Sequence, residues 1–179
     1  MENSGMEYKI VHSIDCPEMW ESVDDYSSHR PLLWLACENT DGKIIEAGMG
    51  DGSTSLLEGL SWKRSVVHFD NNKQWIYNLK EYVVSANYVI NWLDDGIFGN
   101  KINLLFVDLA PGEVRKEVIE KYKDEAKVIV AHDTEPGANY VYGMADVLNS
   151  FKYRLDYTPE GKPYTTAVSN FIDVTKWVE

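Results

Sequence analysis

Residues 44–55 read Ile44-Ile45-Glu46-Ala47-Gly48-Met49-Gly50-Asp51-Gly52-Ser53-Thr54-Ser55, and this stretch decides the fold. An apolar run, Lys43-Ile44-Ile45, enters it, and an amphipathic run over 53–60 leaves it. Three glycines at alternate positions fill the turn between them. The pattern predicts a strand, a tight turn and a helix N-terminus, the arrangement that cradles a nucleotide-like ligand. Glycine suits such a turn because the backbone takes angles closed to other residues and nears the ligand with no Cβ in the way. Ser53 or Thr54 is placed to cap the helix, leaving backbone N–H groups aimed at whatever lies above the turn.

Ordinary strand-to-helix connections use the same pattern, so the flanking chain has to support the reading. Residues 1–26 read as a lead-in with a short strand at 8–11 and a helical stretch at 18–23. Ser28 or His29 caps the next helix, with Pro31 in its first turn and an apolar run behind it. Beyond the glycine turn, strands are expected at 65–70, 87–92, 102–108 and 126–131, with helices at 73–82, 112–123 and 141–151. The near-continuous apolar run Ile102-Asn103-Leu104-Leu105-Phe106-Val107 is that of a central strand buried on both faces. Residues 153–157 and 165–171, joined through Pro159-Glu160-Gly161-Lys162, form an antiparallel hairpin. The fold class is therefore α/β: a doubly wound, mostly parallel sheet with helices on both faces and a C-terminal antiparallel hairpin.

With 179 residues the chain reads as one domain, 1–179. Its formal charge of −12 argues against a surface built to grip a phosphate backbone, so nucleic acid is an unlikely partner and a small or neutral substrate fits better. Cys16 and Cys37 lack CxxC spacing, which suggests neither a disulfide framework nor a zinc site. Residues 1–8 are polar and acidic, unlike a signal peptide, and no apolar run is long enough to span a membrane. A cytoplasmic location is the expectation.

In an open α/β sheet, ligands collect at the carboxyl ends of the strands. Here Glu46, Asp70, Asp108 and Asp133 end strands, and the alternation of elements puts all four on one rim. A single strand-end acid is often a cap or a loop residue; four beside a glycine-rich turn mark a site. Asp70 lies 18 residues beyond Gly52, where a carboxylate accepts hydrogen bonds from ribose hydroxyls. A nicotinamide fingerprint places an acid there too. However, Ser53 stands where a dinucleotide motif has its last glycine, and Glu46 favours a cationic amino group and repels a pyrophosphate.

On these residues, Glu46-Ala47-Gly48-Met49-Gly50-Asp51-Gly52, Asp70, Asp108 and the terminal hairpin, the chain resembles the class I S-adenosylmethionine-dependent methyltransferases. The resemblance implies a Rossmann-like, seven-stranded sheet whose last strand lies antiparallel between its two neighbours. It implies that Glu46, Gly48, Gly50, Gly52 and Ser53 hold the methionine part of the cofactor and Asp70 the ribose. Trp92 or Asp94 would lie near the adenine, and Asn71 and Asp108 complete the cofactor set. The strand ends Phe106-Val107-Asp108 and Val130-Ala131-His132-Asp133-Thr134 resemble those of small-molecule and sugar O-methyltransferases. Many of those hold Mg2+ with an acid after the fourth strand and an Asp-Asn or Glu-Asp pair after the fifth. By that resemblance Asp108 and Asp133 would be the Mg2+ ligands, but Thr134 departs from the pattern and tips the reading towards a metal-free version.

A metal-free version uses His132 or Asp133 as general base beside Asp108; the plain alternative for His132 is a strand-end histidine donating to a backbone carbonyl. The 28–30 segment either starts its helix or folds over the cofactor mouth, with His29 or Arg30 touching the cofactor carboxylate or the substrate. Tyr140 and Tyr142 are candidates for a sugar-stacking wall. The expected function is S-adenosylmethionine-dependent methyl transfer to a hydroxyl of a small molecule, with a sugar or glycan preferred. Three alternatives stand beside it: a non-catalytic domain binding S-adenosylmethionine or S-adenosylhomocysteine, an NAD-dependent oxidoreductase and, weakest, a nucleic-acid methyltransferase, against which the segment Asp108-Leu109-Ala110-Pro111 and the acidic balance count. A homodimer is the expected assembly if the chain self-associates.

Overall fold

Short apolar runs bounded by polar turns become the central strands, at 44–47, 104–107 and 128–132, because these are covered on both faces. The computed structural model describes residues 5–179, so residues 1–4 of the expected lead-in lie outside it. The strands are β1 (Glu7–Val11), β2 (Ile44–Ala47), β3 (Val66–Asp70), β4 (Ala86–Tyr88), β5 (Leu104–Val107), β6 (Val128–His132), β7 (Tyr153–Tyr157) and β8 (Thr165–Ser169). They form one sheet in the order β1-β7-β8-β6-β5-β2-β3-β4. β8 runs antiparallel to both of its neighbours, β6 and β7, and every other pairing is parallel.

Register explains the two layers. Ile44, Leu104 and Val128 sit side by side, and the next rung is Ile45, Leu105 and Ile129. Successive side chains of a strand point to opposite faces. The first rung therefore packs with Leu32, Leu33 and Ala36 of α1 (Arg30–Glu38) and Leu57 of α2 (Thr54–Glu58). The second packs with Val118 and Ile119 of α4 (Arg115–Tyr122) and Leu148 of α6 (Ala145–Leu148). α3 (Lys73–Leu79) follows β3, and α5 (Pro136–Tyr142) follows β6. Each fully buried leucine or isoleucine contributes about 1.5–3 kcal/mol.

The sheet has one strand more than the expected seven. β1, the strand of the lead-in, joins the far edge parallel to β7, where the Tyr8 hydroxyl donates to Asp156 Oδ2 at 2.7 Å. The helix expected at 141–151 is instead two short helices, because Pro136 starts α5 early and Gly143, at φ 63°, ends it. The expected helix at 18–23 is a single 3-10 turn, Glu18–Trp20. No helix among the described residues is long and apolar enough to cross a membrane.

A polar cluster sits inside this core. Glu46 shares the face of Ile44, opposite His68 on β3, and is fully buried rather than placed on the rim. The Ser53 hydroxyl donates to its Oε1 and Thr54 Oγ1 donates to Oε2 at 2.9 Å. His68 Nδ1 lies 2.5 Å from Oε2, and His68 Nε2 lies 2.9 Å from Glu58 Oε2 on α2. Neither Ser53 nor Thr54 caps α2 with its side chain; their hydroxyls go to Glu46. Burial alone lowers the pKa of His68, but hydrogen bonds and charge from Glu46 and Glu58 outweigh it and the net shift is upward.

Removing one partner of a buried charged pair costs about 3–5 kcal/mol. Glu46→Ala is expected to lose about that much in urea unfolding. A histidine with a raised folded pKa contributes stability that is complete below its unfolded pKa and lost as pH rises through the folded one. The gap between Glu46→Ala and the parent protein should therefore narrow at high pH; a gap that widens with pH would contradict this assignment.

Candidate active site

The C-terminal ends of the central strands open into a cavity of about 560 Å³. Its floor is the glycine turn, Met49 to Ser53, and its walls include Trp75 of α3, Asp108 and the 24–30 segment. Gly48, at φ 95°, lies so close to the backbone of Asp108 and Leu109 that a Cβ would overlap it. A Cβ on Gly52 would overlap the Tyr26 carbonyl and the His29 ring, so this glycine lets the 24–30 segment close over the turn. Asp24 holds that segment in shape: its Oδ1 accepts from Ser27 N at 2.8 Å, and Ser27 Oγ accepts from Asp24 N at 2.9 Å. Arg30 Nε donates to the Gly52 carbonyl at 2.8 Å.

A second cavity of about 420 Å³ lies alongside, lined by Asp25, Tyr26, Asp108, Arg115, His132, Asp133 and Pro163. Asp108 and Tyr26 line both cavities. The two spaces thus adjoin at the end of β5.

Arg115, the first residue of α4, organises this junction. Its guanidinium contacts Asp108 Oδ1 at 2.8 Å and donates to Asp133 Oδ2 at 2.9 Å, to the Leu109 carbonyl at 2.9 Å and to the His132 carbonyl at 3.1 Å. Asp133 reaches it from a left-handed backbone conformation, φ 56°, which aspartate tolerates better than most residues. Burial raises the Asp108 carboxyl, but the His132 hydrogen bond and the charges of His132 and Arg115 outweigh it, leaving the pKa below the ordinary value.

His132 ends β6 with its ring buried. Nδ1 lies 3.3 Å from Asp108 Oδ2 and 3.5 Å from Asp133 Oδ1, and Nε2 lies 2.8 Å from Ser28 Oγ. Ser28 Oγ lies 3.0 Å from the Asp25 carbonyl and 2.8 Å from His132 Nε2, and where its single proton goes follows the state of the ring: it accepts from Nε2–H when His132 is protonated. Ser28, His132 and Asp108 therefore resemble a nucleophilic triad in sequence of contacts only. Ser28 is fully buried, so its hydroxyl orients the imidazole. Burial lowers His132, while Asp108 and Asp133 more than offset this and raise its pKa. His29 stacks edge-on against His132 with ring centroids 4.8 Å apart. Burial, helped by His132, pushes its pKa down to about 3, and the ring stays neutral.

The structure brings His29, Arg30, Gly50, Gly52, Ser53, Asp108, His132 and Asp133 to these two cavities. It places several other expected residues elsewhere. Glu46 lies beneath the turn, in the core. Asp70 braces the turn from below, accepting from Met49 N at 2.9 Å and Asn72 N at 2.6 Å, and burial raises its pKa against these hydrogen bonds. Asn71 donates to the Ala110 carbonyl at 2.6 Å. Trp92 is buried with its indole N–H on the same carbonyl, and Asp94 is exposed in a loop, so neither lines the first cavity. Tyr140 is 94% exposed, and Tyr142 lies against the Arg115 guanidinium. A Mg2+ ion held by Asp108 and Asp133 does not fit, because Arg115 already bridges the two carboxylates. Tyr26, Ser28, Trp75 and Arg115 were not among the expected site residues. Only Arg115 carried a signal, a cation opening the helix after a strand-end acid.

No protein-family model matches the sequence, and no curated protein does. Solved structures do match in shape. An O-methyltransferase from Thermotoga maritima, described as S-adenosylmethionine-dependent, aligns over 78% of this chain at 12% identity with a TM-score of 0.57. The fold is that of the class I S-adenosylmethionine-dependent methyltransferases. The same fold is found in the T. thermophilus 16S rRNA N2 G1207 methyltransferase, solved with AdoMet and guanosine (74% of this chain, 10% identity, TM-score 0.53). It is also found in the human METTL16 catalytic domain in complex with a MAT2A 3′UTR hairpin (90% of this chain, 75% of that one, 10% identity, TM-score 0.55). The chain spans 36% of the length of the rRNA enzyme and 64% of the O-methyltransferase.

The expectation that nucleic acid is an unlikely partner does not stand against these structural neighbours. Two of the three are named for, or solved with, RNA. A net charge of −12 reports the whole surface and does not describe the small area around one cavity.

The junction makes a directional prediction. In histidine NMR titrations, Asp108→Asn should move the His132 ring to a lower pKa and Arg115→Met should move it higher. Shifts of the opposite sign would contradict the contacts described.

Proposed function

We propose that this protein is an S-adenosylmethionine-dependent methyltransferase that methylates a hydroxyl oxygen, with a sugar ring as the preferred acceptor. The observation that carries the reading is the pair of adjoining cavities meeting at Asp108, one floored by the glycine turn and one polar and centred on His132. The first suits the cofactor: Gly50 lines it with open space where a Cβ would stand, and Arg30 and the acids Asp24 and Asp51 offer partners for a zwitterionic amino acid end. When bound there, the cofactor supplies a methyl group on a sulfonium, ready for displacement by a nucleophile.

The chain's own residues prepare that nucleophile. The second cavity is lined mainly by Asp25, Asp108, Arg115, His132 and Asp133, a polar surface suited to a polyhydroxy acceptor. Tyr26, 85% exposed and common to both cavities, offers an aromatic face for a sugar ring. Neutral His132 would take the proton of the acceptor hydroxyl at Nδ1, and the cofactor would supply the methyl that the oxygen gains and leave as its demethylated thioether. Asp108 and Asp133 stabilise the imidazolium that results, and Ser28 fixes the ring orientation. Holding the two reactants in line supplies much of the rate.

The test is transfer of labelled methyl from S-adenosylmethionine, in EDTA, to a panel of sugars, oligosaccharides, nucleosides and RNA. His132→Ala should lower kcat by about 10²–10⁴-fold while cofactor binding persists. Activity should rise with pH through a limb above the ordinary histidine value, and Asp108→Asn should move that limb down. Transfer unaffected by His132→Ala would contradict the assigned base.

A further inference from the structure

Neither ring nitrogen of His29 makes a hydrogen bond, although the residue is only 2% exposed. A buried polar group without a partner is uncommon in folded proteins and calls for an explanation, a bound water or ion among them. Its neighbours point the same way. Ser28 Oγ holds Nε2 of His132, and Nδ1 of the same ring faces two carboxylates, Asp108 Oδ2 at 3.3 Å and Asp133 Oδ1 at 3.5 Å. A lone pair facing two carboxylates is repelled unless a positive charge stands between them; a proton or a metal ion meets that need.

One donor atom each from His29, Asp108 and His132 lies within 4.8 Å of the other two. Donors around a tetrahedral ion with metal–ligand distances near 2.1 Å stand about 3.4 Å apart. The Asp108–His132 pair already has that spacing, and His29 offers a donor within 4.8 Å of both. With both histidines neutral, Asp108, Asp133 and Arg115 leave one net negative charge at the junction, which favours a divalent cation.

We propose that His29, Asp108 and His132 form a binding site for a divalent transition-metal ion of the zinc class. Two imidazole nitrogens and one carboxylate oxygen suit zinc or cobalt rather than magnesium, which prefers oxygen ligands. Three protein ligands leave a further position open. Ser28, holding the far nitrogen of His132, is the outer partner that fixes a ligating imidazole. The site differs from the space between Asp108 and Asp133 that Arg115 fills. Asp108 and His29 line the first cavity and Asp108 and His132 the second, so the ion borders both. On the methyltransferase reading, the ion would engage the same Nδ1 lone pair that serves as base in the metal-free protein, and its open position would face the acceptor oxygen. Its binding does not depend on that reading.

The test uses the full chain without an affinity tag, stripped with EDTA and dialysed. Titration with Co2+, followed by visible absorption, should show one ion per chain, displaced by Zn2+. His29→Ala and His132→Ala should each weaken binding at least tenfold, whereas His12→Ala, on an exposed histidine away from the junction, should leave it unchanged. Circular dichroism confirms that each variant is folded, and Asn replaces Ala at either position if it is not. No stoichiometric binding, or binding indifferent to both junction histidines, overturns the proposal. S-adenosylmethionine titrated into the same stripped protein separates the two readings. Cofactor binding without cobalt binding removes the metal site alone, and cobalt binding without cofactor binding removes the methyltransferase reading alone.

Discussion

The geometry of the junction depends on one buried guanidinium. A charge removed from water is tolerated only when its donors are satisfied, and Arg115 finds two carboxylates and two carbonyls. Those partners come from the ends of β5 and β6, neighbouring strands whose loops would otherwise vary independently. The Tyr142 ring over the guanidinium restricts it further. Because Asp108 and Asp133 are both fixed to Arg115, His132 lies at a set distance from each. Its charge state therefore follows from packing on α4.

A second buried network does the same for the glycine turn. Glu46 sits one layer below, receiving Ser53, Thr54 and His68, so the turn is fastened to the core through its first helical residues. Asp70 adds a support through the backbone of Met49. The two cavities are thus each framed by a polar cluster that contacts little solvent. They meet where Gly48 allows the β2 and β5 loops to touch. The rigid strands fix this meeting point, and the loops add the chemical groups.

The fold was legible because its signals are local and redundant. Unbroken apolar runs at 44–45 and 104–107 required burial on both faces, and Gly48 and Gly52 required close backbone approach. The strand-end rule brought Asp108, His132 and Asp133 to the same place, since each ends or follows a parallel strand. It misplaced Glu46, whose alternation along β2 turns its side chain inward beside His68. It also missed how loops aim side chains: Trp92 follows the short edge strand β4 and folds into the core, while Trp75, on a helix, reaches the cavity. Tyr142 was read as a substrate wall but packs on Arg115, a pairing across sequence that no local pattern encodes. Net charge misled on nucleic acid, because it carries no information about where charges lie.

The central claim is that the glycine-floored cavity binds S-adenosylmethionine. Calorimetric titration of the parent protein and of Gly50→Leu tests it most directly. A Cβ at Gly50 meets nothing closer than Ser53 Oγ at 3.8 Å, so the leucine enters the cavity without disturbing the packing behind it. The account predicts one S-adenosylmethionine per parent chain and a loss of at least tenfold in affinity for the variant, with its melting temperature unchanged. No binding to the parent chain, or equal binding to both, would contradict it.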